Sequence, residues 1–113
     1  MAVIYKICDQ ALWDAAKAAG VFTGATVDLM DGFIHFSTAS QVRETAAKHF
    51  SNRTDLLIFA VESDACGDAM KWEPSRGGAL FPHLYNELSM DKVLWVKPLP
   101  LGKDGTHSFP ELD

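Results

Sequence analysis

The chain has 113 residues, with 10 Lys and Arg against 15 Asp and Glu, a formal net charge of −5, 48% hydrophobic residues and 22% charged ones. That length suits one domain around a single core, and those fractions exclude a disordered chain, a collagen-like fibre and a coiled coil. The acidic balance argues against a nucleic-acid partner, which needs a basic stripe to engage phosphates. No apolar run approaches the roughly 18–20 residues that span a bilayer, so no membrane partner is expected.

The first residues lack a basic region followed by a long apolar stretch, so they read as a strand over 2–8 and not as a secretion signal. Asp9 can cap a helix running to about Ala19, where Gly20 supplies the stop. Leu12, Ala15, Ala16 and Ala19 form its apolar stripe, with Trp13 at the edge. A turn-rich stretch follows at Thr23-Gly24-Ala25-Thr26. The Asp31-Gly32 pair then reads as a turn into a second strand, Phe33-Ile34-His35-Phe36-Ser37.

Thr38 and Gln41 have the spacing of a capping box, which opens a helix to about Phe50. Val42, Ala46 and Phe50 repeat along one face, and Glu44 and Lys48 pair on another. Leu56–Val61 is apolar without alternation, the pattern of a strand covered on both faces. Lys71-Trp72-Glu73 reads as a short strand ended by Pro74. Phe81–Tyr85 reads as extended or a single turn, and Val93–Val96 as a last strand. The stretch from Leu101 onward reads as a frayed tail. The expectation is one domain over 1–113, with its core in about 2–100. It is of α+β class, a split or strongly curved sheet of about five strands with two helices.

Cys8 and Cys66 form no C-x-x-C pair and read as two reduced, partly buried thiols, which makes the cytoplasm the expected compartment. His35, His83, Asp31 and the thiols have no recognised metal spacing, so no metal is expected. No Gly-x-Ser-x-Gly elbow, P-loop or Gly-x-Gly-x-x-Gly occurs.

Three constellations can carry chemistry. With Ile34 and Phe36 facing the core, His35 and Ser37 share the opposite face of their strand, close to a helix N-terminus. An imidazole and a hydroxyl there suit an anion or a sugar hydroxyl. His35 reads equally as a hydrogen-bonded structural histidine, and Thr38 chiefly as a cap. In Lys71–Gly78, Glu73 can project into a cleft and Arg76 can reach a phosphate, or the two can simply pair on a solvated surface. In Phe81–Tyr85, His83 and Tyr85 are two apart and can share a face. A tyrosine there stacks on a planar ring or, alternatively, ties its hydroxyl to the backbone. His49 and His107 read as solvated.

Taken together, Ile34-His35-Phe36-Ser37-Thr38, the helix with Val42, Thr45 and Ala46, Lys71-Trp72-Glu73 and Phe81-Pro82-His83-Leu84-Tyr85 resemble a family of short bacterial proteins known as a domain of unknown function. The resemblance extends from about Ile4 to Leu99. That family is in turn remotely similar to the ADP-ribosyltransferase fold, a split sheet whose central cleft binds NAD. The resemblance implies His35 as the nucleotide anchor, Ser37-Thr38 as the match to a Ser-Thr-Ser motif, Tyr85 as the aromatic platform and Glu73 as the acid. The chain departs from that pattern in two ways. The histidine falls in the second expected strand, where the first carries Tyr5-Lys6, and the paired acid motif near the C-terminus is missing, with Glu87 as a spare acid.

The expected function is thus an NAD-binding, ADP-ribosyltransferase-like enzyme, with Glu73 and His35 as catalytic candidates. His35, Ser37, Arg76, His83 and Tyr85 are the candidates for holding NAD. A carboxylate near the ribose would stabilise the oxocarbenium character that develops as the bond to nicotinamide breaks. The alternative is a non-catalytic domain that binds a nucleotide or other small ligand on the same fold. An interaction domain presenting Trp72, Trp95 and Phe81 is a third reading.

Overall fold

The apolar run from Leu56 is the centre of the molecule. In the computed structural model, which describes residues 2–75 and 78–112, Leu56–Glu62 is buried along almost its whole length. Side chains alternate across a strand. Leu57, Phe59 and Val61 therefore enter one core with Trp13, Phe22, Ile34 and Phe36, while Leu56, Ile58 and Ala60 enter a second with Tyr5, Ile7, Val42 and Ala46. One strand separating two cores needs no polar face, which is why its sequence does not alternate.

In chain order the elements are β1 (Val3–Asp9), α1 (Gln10–Ala19), β2 (Val21–Phe22), α2 (Thr26–Asp31), β3 (Ile34–His35), α3 (Ala39–His49), β4 (Leu56–Glu62), β5 (Met70–Ser75), β6 (Ala79–Leu84), β7 (Leu88–Ser89) and β8 (Val93–Pro98). Short 3₁₀ segments lie at Ser63–Ala69 and Met90–Lys92. The strands form three antiparallel sheets with the orders β1-β4-β8, β3-β6-β5 and β2-β7. The class is α+β in one domain, as expected. The described residues nonetheless hold eight strands and three α-helices, where the sequence reading gave about five strands and two helices.

The caps explain where the two long helices begin and end. Asp9 Oδ1 accepts the Leu12 N–H at 2.7 Å, and Gly20 closes α1. Gln41 Oε1 accepts the Thr38 N–H at 3.0 Å at the start of α3. Between them the sequence reading needs correction. Asp31 and Gly32 do not open a strand: Asp31 ends the extra helix α2, and Gly32, at φ 86°, is its left-handed cap. That conformation suits glycine, which has no Cβ to clash.

Pro74 does not end its strand. It sits within β5 on the edge of its sheet, where a missing N–H leaves no ladder bond unmade. Phe81–Leu84 takes the extended form of the two expected, as the buried end of β6, the central strand of that sheet. The segment after Pro100 is docked, not frayed. Leu101 bridges His107, and Phe109 and Leu112 pack on the α3-side core. Arg43 lies 4.7 Å over the Phe109 ring.

Among the described residues a backbone bridge links the chain beside the two larger sheets. Tyr5 and Ser37 exchange both backbone bonds, at 2.8 and 2.9 Å. Beyond that bridge β1 runs on in contact with both α1 and α3, and the cleft described next lies along it.

Candidate functional site

The cleft has a volume of about 940 Å³. Tyr5, Lys6, Ile7 and Asp9 of β1 run along it, and its apolar walls come from Leu12 and Ala15 of α1 and Val42 and Phe50 on the α3 side. His35, Ser37 and His83 line one wall, while Thr45, His49 and Arg53 line the side formed by α3 and the loop after it. Ser37 and Thr45 both line the cleft, with Ser37 Oγ and Thr45 Oγ1 3.0 Å apart and Thr45 Oγ1 also donating to the Gln41 carbonyl at 3.2 Å.

Asp28 is the hub beside this cleft, and the sequence reading missed it. It is 1% exposed, yet it accepts four kinds of donor. Lys6 Nζ reaches its two oxygens at 3.0 and 2.9 Å, the Ala25 N–H at 2.7 Å, the His35 N–H at 3.1 Å and His35 Nδ1 at 2.6 Å. Burial alone would raise its pKa, but the hydrogen bond from His35 and the charge of Lys6 outweigh that and hold it at about 2. Burial pushes the Lys6 ammonium below the ordinary lysine range, with Asp28 pulling it back up. The sequence signals for this hub were a lysine inside an otherwise apolar first strand and an acid three residues after Ala25.

His35 is gripped from both sides, because Asp31 Oδ2 lies 3.0 Å from its Nε2. Phe33 then links the two histidine-bearing motifs. Its ring stacks on His83 at 4.2 Å and lies 4.6 Å from His35 and 5.0 Å from Tyr85, centroid to centroid. His35 and His83 face each other at 5.3 Å because they are register partners across β3 and β6.

Glu73 and Tyr85 belong to this group but stand behind it. Glu73 Oε1 is 2.8 Å from His83 Nδ1 and accepts the Tyr85 hydroxyl at 2.7 Å. Neither residue is among those lining the cleft. The hydrogen bonds from Tyr85 and His83 hold the Glu73 carboxyl below the usual range, and the bond to Glu73 pushes the Tyr85 phenol up. Of the imidazole, acid and phenol singled out in the sequence, His35, Glu73 and Tyr85, the acid and the phenol meet each other and His83 behind the cleft wall, while His35 lines the cleft and touches Phe33 and His83 rather than Glu73.

Arg76 lies outside the described residues. Glu87 is elsewhere, beside Cys66 and Lys92 in a separate hollow of about 220 Å³. Both cysteines are free thiols, and burial raises each, Cys8 to about 12. Trp72 is exposed, whereas Trp95 is half-buried and Phe81 is buried against the cleft it lines. Among the described residues, no helix is long and apolar enough to cross a membrane.

The structure is similar to that of protein CC0527 from Caulobacter crescentus. The crystal structure of that protein is 51% identical, with a TM-score of 0.91, covering 94% of this chain and 93% of that one. A crystal structure of its double methionine mutant is 50% identical over the same shares, again with a TM-score of 0.91. The solution NMR structure is 52% identical, with a TM-score of 0.84, covering 94% of this chain and 91% of that one. No curated protein matches the sequence. The family model described as "Protein of unknown function (DUF952)" matches residues 7–96, and with most of its length so matched this chain belongs to the DUF952 family.

Proposed function

We propose that this protein binds a nucleotide-like small molecule in the cleft along β1, with NAD as the candidate ligand. The observation that carries this reading is the convergence of His35, Ser37 and His83, from separate stretches of chain, on one wall of a cleft of about 940 Å³. Small-molecule sites of roughly 300–1,000 Å³ are apolar clefts with a few convergent polar groups, which is this composition. The Ser37 and Thr45 hydroxyls suit sugar hydroxyls. Arg53 and His49 suit phosphates at the other end. Arg53 lies 3.7 Å from Asp9, three residues along β1 from Lys6, so the two ends are about 10 Å apart at roughly 3.3 Å per residue. The resemblance to the ADP-ribosyltransferase fold supplies NAD as the nucleotide to test first.

Binding is better supported than transfer through Glu73, because that carboxylate is engaged by His83 and Tyr85 behind the cleft wall. Asp31, which lines the cleft beside His35, is the observation that favours NAD cleavage as a second reading. Thermal unfolding with NAD, ADP-ribose and AMP tests the proposal, since a ligand of the folded state raises Tm by mass action. A rise with NAD that disappears in a folded His35→Ala variant is the expected result. If no nucleotide moves Tm at millimolar concentration, the proposal fails.

A further inference from the structure

One residue of β1 is left without a strand partner. Tyr5 and Ser37 exchange both backbone bonds, so Tyr5 turns its N–H and C=O away from β4. Bonded and unbonded pairs alternate along an antiparallel ladder, and the register of β1 on β4 runs unbroken from Val3 to Asp9. Ile7 therefore turns its N–H and C=O away from β4 as well. In a ladder continued from Tyr5 and Ser37, its partner would be His35. The His35 N–H goes instead to Asp28 Oδ1 at 3.1 Å. The Asp28 carboxylate thus takes the donor of the next ladder pair, and no partner among the described residues meets the Ile7 N–H or C=O.

Ile7 is only 4% exposed, and it lines the cleft together with His35 and Ser37. An unmet backbone pair so enclosed is costly, and its partners must come from whatever occupies the cleft. The free edge is short. The bridge at Tyr5 bounds it on one side and α1 begins at Gln10 on the other, so only Ile7 and Asp9 face outward. That is too little edge for an added peptide strand, but one donor beside one acceptor fits the edge of a single ring. The two walls differ in chemistry. From α1 the cleft takes Ala11, Leu12 and Ala15, all apolar, whereas α3 and the loop after it supply Thr45, His49 and Arg53. A base on the α1 side of Ile7 leaves its sugar and phosphates against that polar row.

We infer that Ile7 is the base-reading residue of this cleft, its C=O accepting from the 6-amino group of an adenine and its N–H donating to the ring nitrogen alongside. The inference rests on the nucleotide-binding reading above and adds the identity of the base. Adenine carries an amine donor with a ring-nitrogen acceptor next to it, so it fills both bonds that the missing strand partner would make. It is also the part that NAD, ADP-ribose and AMP have in common. Because the reading groups are backbone, the base is recognised through its edge and not through any side chain at position 7.

The test combines amide exchange by NMR with titration calorimetry on the full chain. In the free protein the Ile7 amide is expected to exchange much faster than those of Lys6 and Cys8, whose turns of the ladder face β4. Saturating AMP is expected to slow the Ile7 amide about tenfold or more. Purine riboside 5′-monophosphate lacks the amine, and the 6-dimethylamino analogue of AMP has no hydrogen on it. Each is expected to bind about tenfold or more weakly than AMP, because each leaves the Ile7 carbonyl unmet. An Ile7 amide already protected in the free protein, AMP that binds without protecting it, or equal affinities for the three nucleotides overturns the inference and leaves the binding reading standing. Tighter binding of nicotinamide mononucleotide than of AMP does the same, since it puts a carboxamide and not adenine at Ile7. No binding of AMP, ADP-ribose or NAD overturns both.

Discussion

Lys6 Nζ sits 3.0 and 2.9 Å from the two oxygens of Asp28, and the side chains are 8% and 1% exposed. The pair ties α2 to the edge strand of the main sheet. Because Asp28 also holds the backbone and ring of His35, it sets the cleft wall as well. Fixing two charges away from water is costly, and such a pair is stable only when its remaining hydrogen-bonding positions are filled. Here the Ala25 N–H and His35 fill them.

Removing one partner should therefore cost more than removing both. Asp28→Asn leaves the Lys6 charge buried without its counter-ion, for an expected loss of about 3–5 kcal/mol in urea unfolding. Lys6→Met combined with Asp28→Asn should recover part of that loss. A double variant less stable than Asp28→Asn alone would show that the charge pair is not what the single change disrupts.

Acid should expose the same group. The folded Asp28 carboxyl is held at about 2 against an ordinary 3.8, so its ionised form favours the folded state. Its contribution is complete above the ordinary value and is lost as the pH falls from about 4 toward 2. The gap corresponds to about 2 kcal/mol. Lys6 acts in another window, because its lowered value makes stability rise with pH on the alkaline side. Urea midpoints between pH 2 and 6 should fall more steeply for the native protein than for Asp28→Asn, and parallel curves would refute the assignment.

Much of the scaffold was readable because its signals are local. Asp9, Gly20, Thr38 and Gln41 mark helix ends by their own side chains or backbone freedom, and the length and flanks of the run from Leu56 favour a doubly covered strand over a helix. Helix α2 was not readable, because its pattern is inverted. Val27, Leu29 and Met30 are exposed while Asp28 is buried. Lys6, 22 residues away in sequence, and His35 make that burial tolerable together with the Ala25 N–H. Pro82 left extended chain and a single turn both open; in β6 it lies beyond the two-residue pairing with β3, and its carbonyl accepts the Phe36 N–H at 3.0 Å. At the site, His35, Ser37 and His83 were visible as chemistry. The role of Phe33 as the plate between motifs, and the retreat of Glu73 behind His83, depend on the pairing of β5 and β6.

Gly24 offers a test of how tightly the Asp28 hub is built. Its φ is +116°, and a Cβ there would lie 2.7 Å from the Asp28 Cβ and 3.1 Å from its Oδ2. Gly24→Ala must strain the backbone and push Asp28 away from its donors at once. The expected cost is about 2–4 kcal/mol in urea unfolding, together with loss of any NAD-induced rise in Tm. A stable Gly24→Ala protein that still responds to NAD would mean that the cleft tolerates a displaced Asp28.

Arg53 bears on which way round the nucleotide lies. Its side chain is about half exposed, 3.7 Å from Asp9 and 5.3 Å over the Phe50 ring, on the side of the cleft that also holds His49. If phosphates occupy that side, Arg53→Gln should weaken NAD roughly fivefold, a modest loss because solvent screens the contact. Nicotinamide riboside, which has no pyrophosphate, should bind Arg53→Gln as it binds the native protein. Arg53→Lys keeps the charge but not the planar fork and should fall between. Raising the ionic strength should weaken NAD more in the native protein than in Arg53→Gln, since the charge being screened is the one removed. Equal losses for NAD and nicotinamide riboside on titration calorimetry would mean that Arg53 shapes the cleft through Phe50 and does not meet the phosphates.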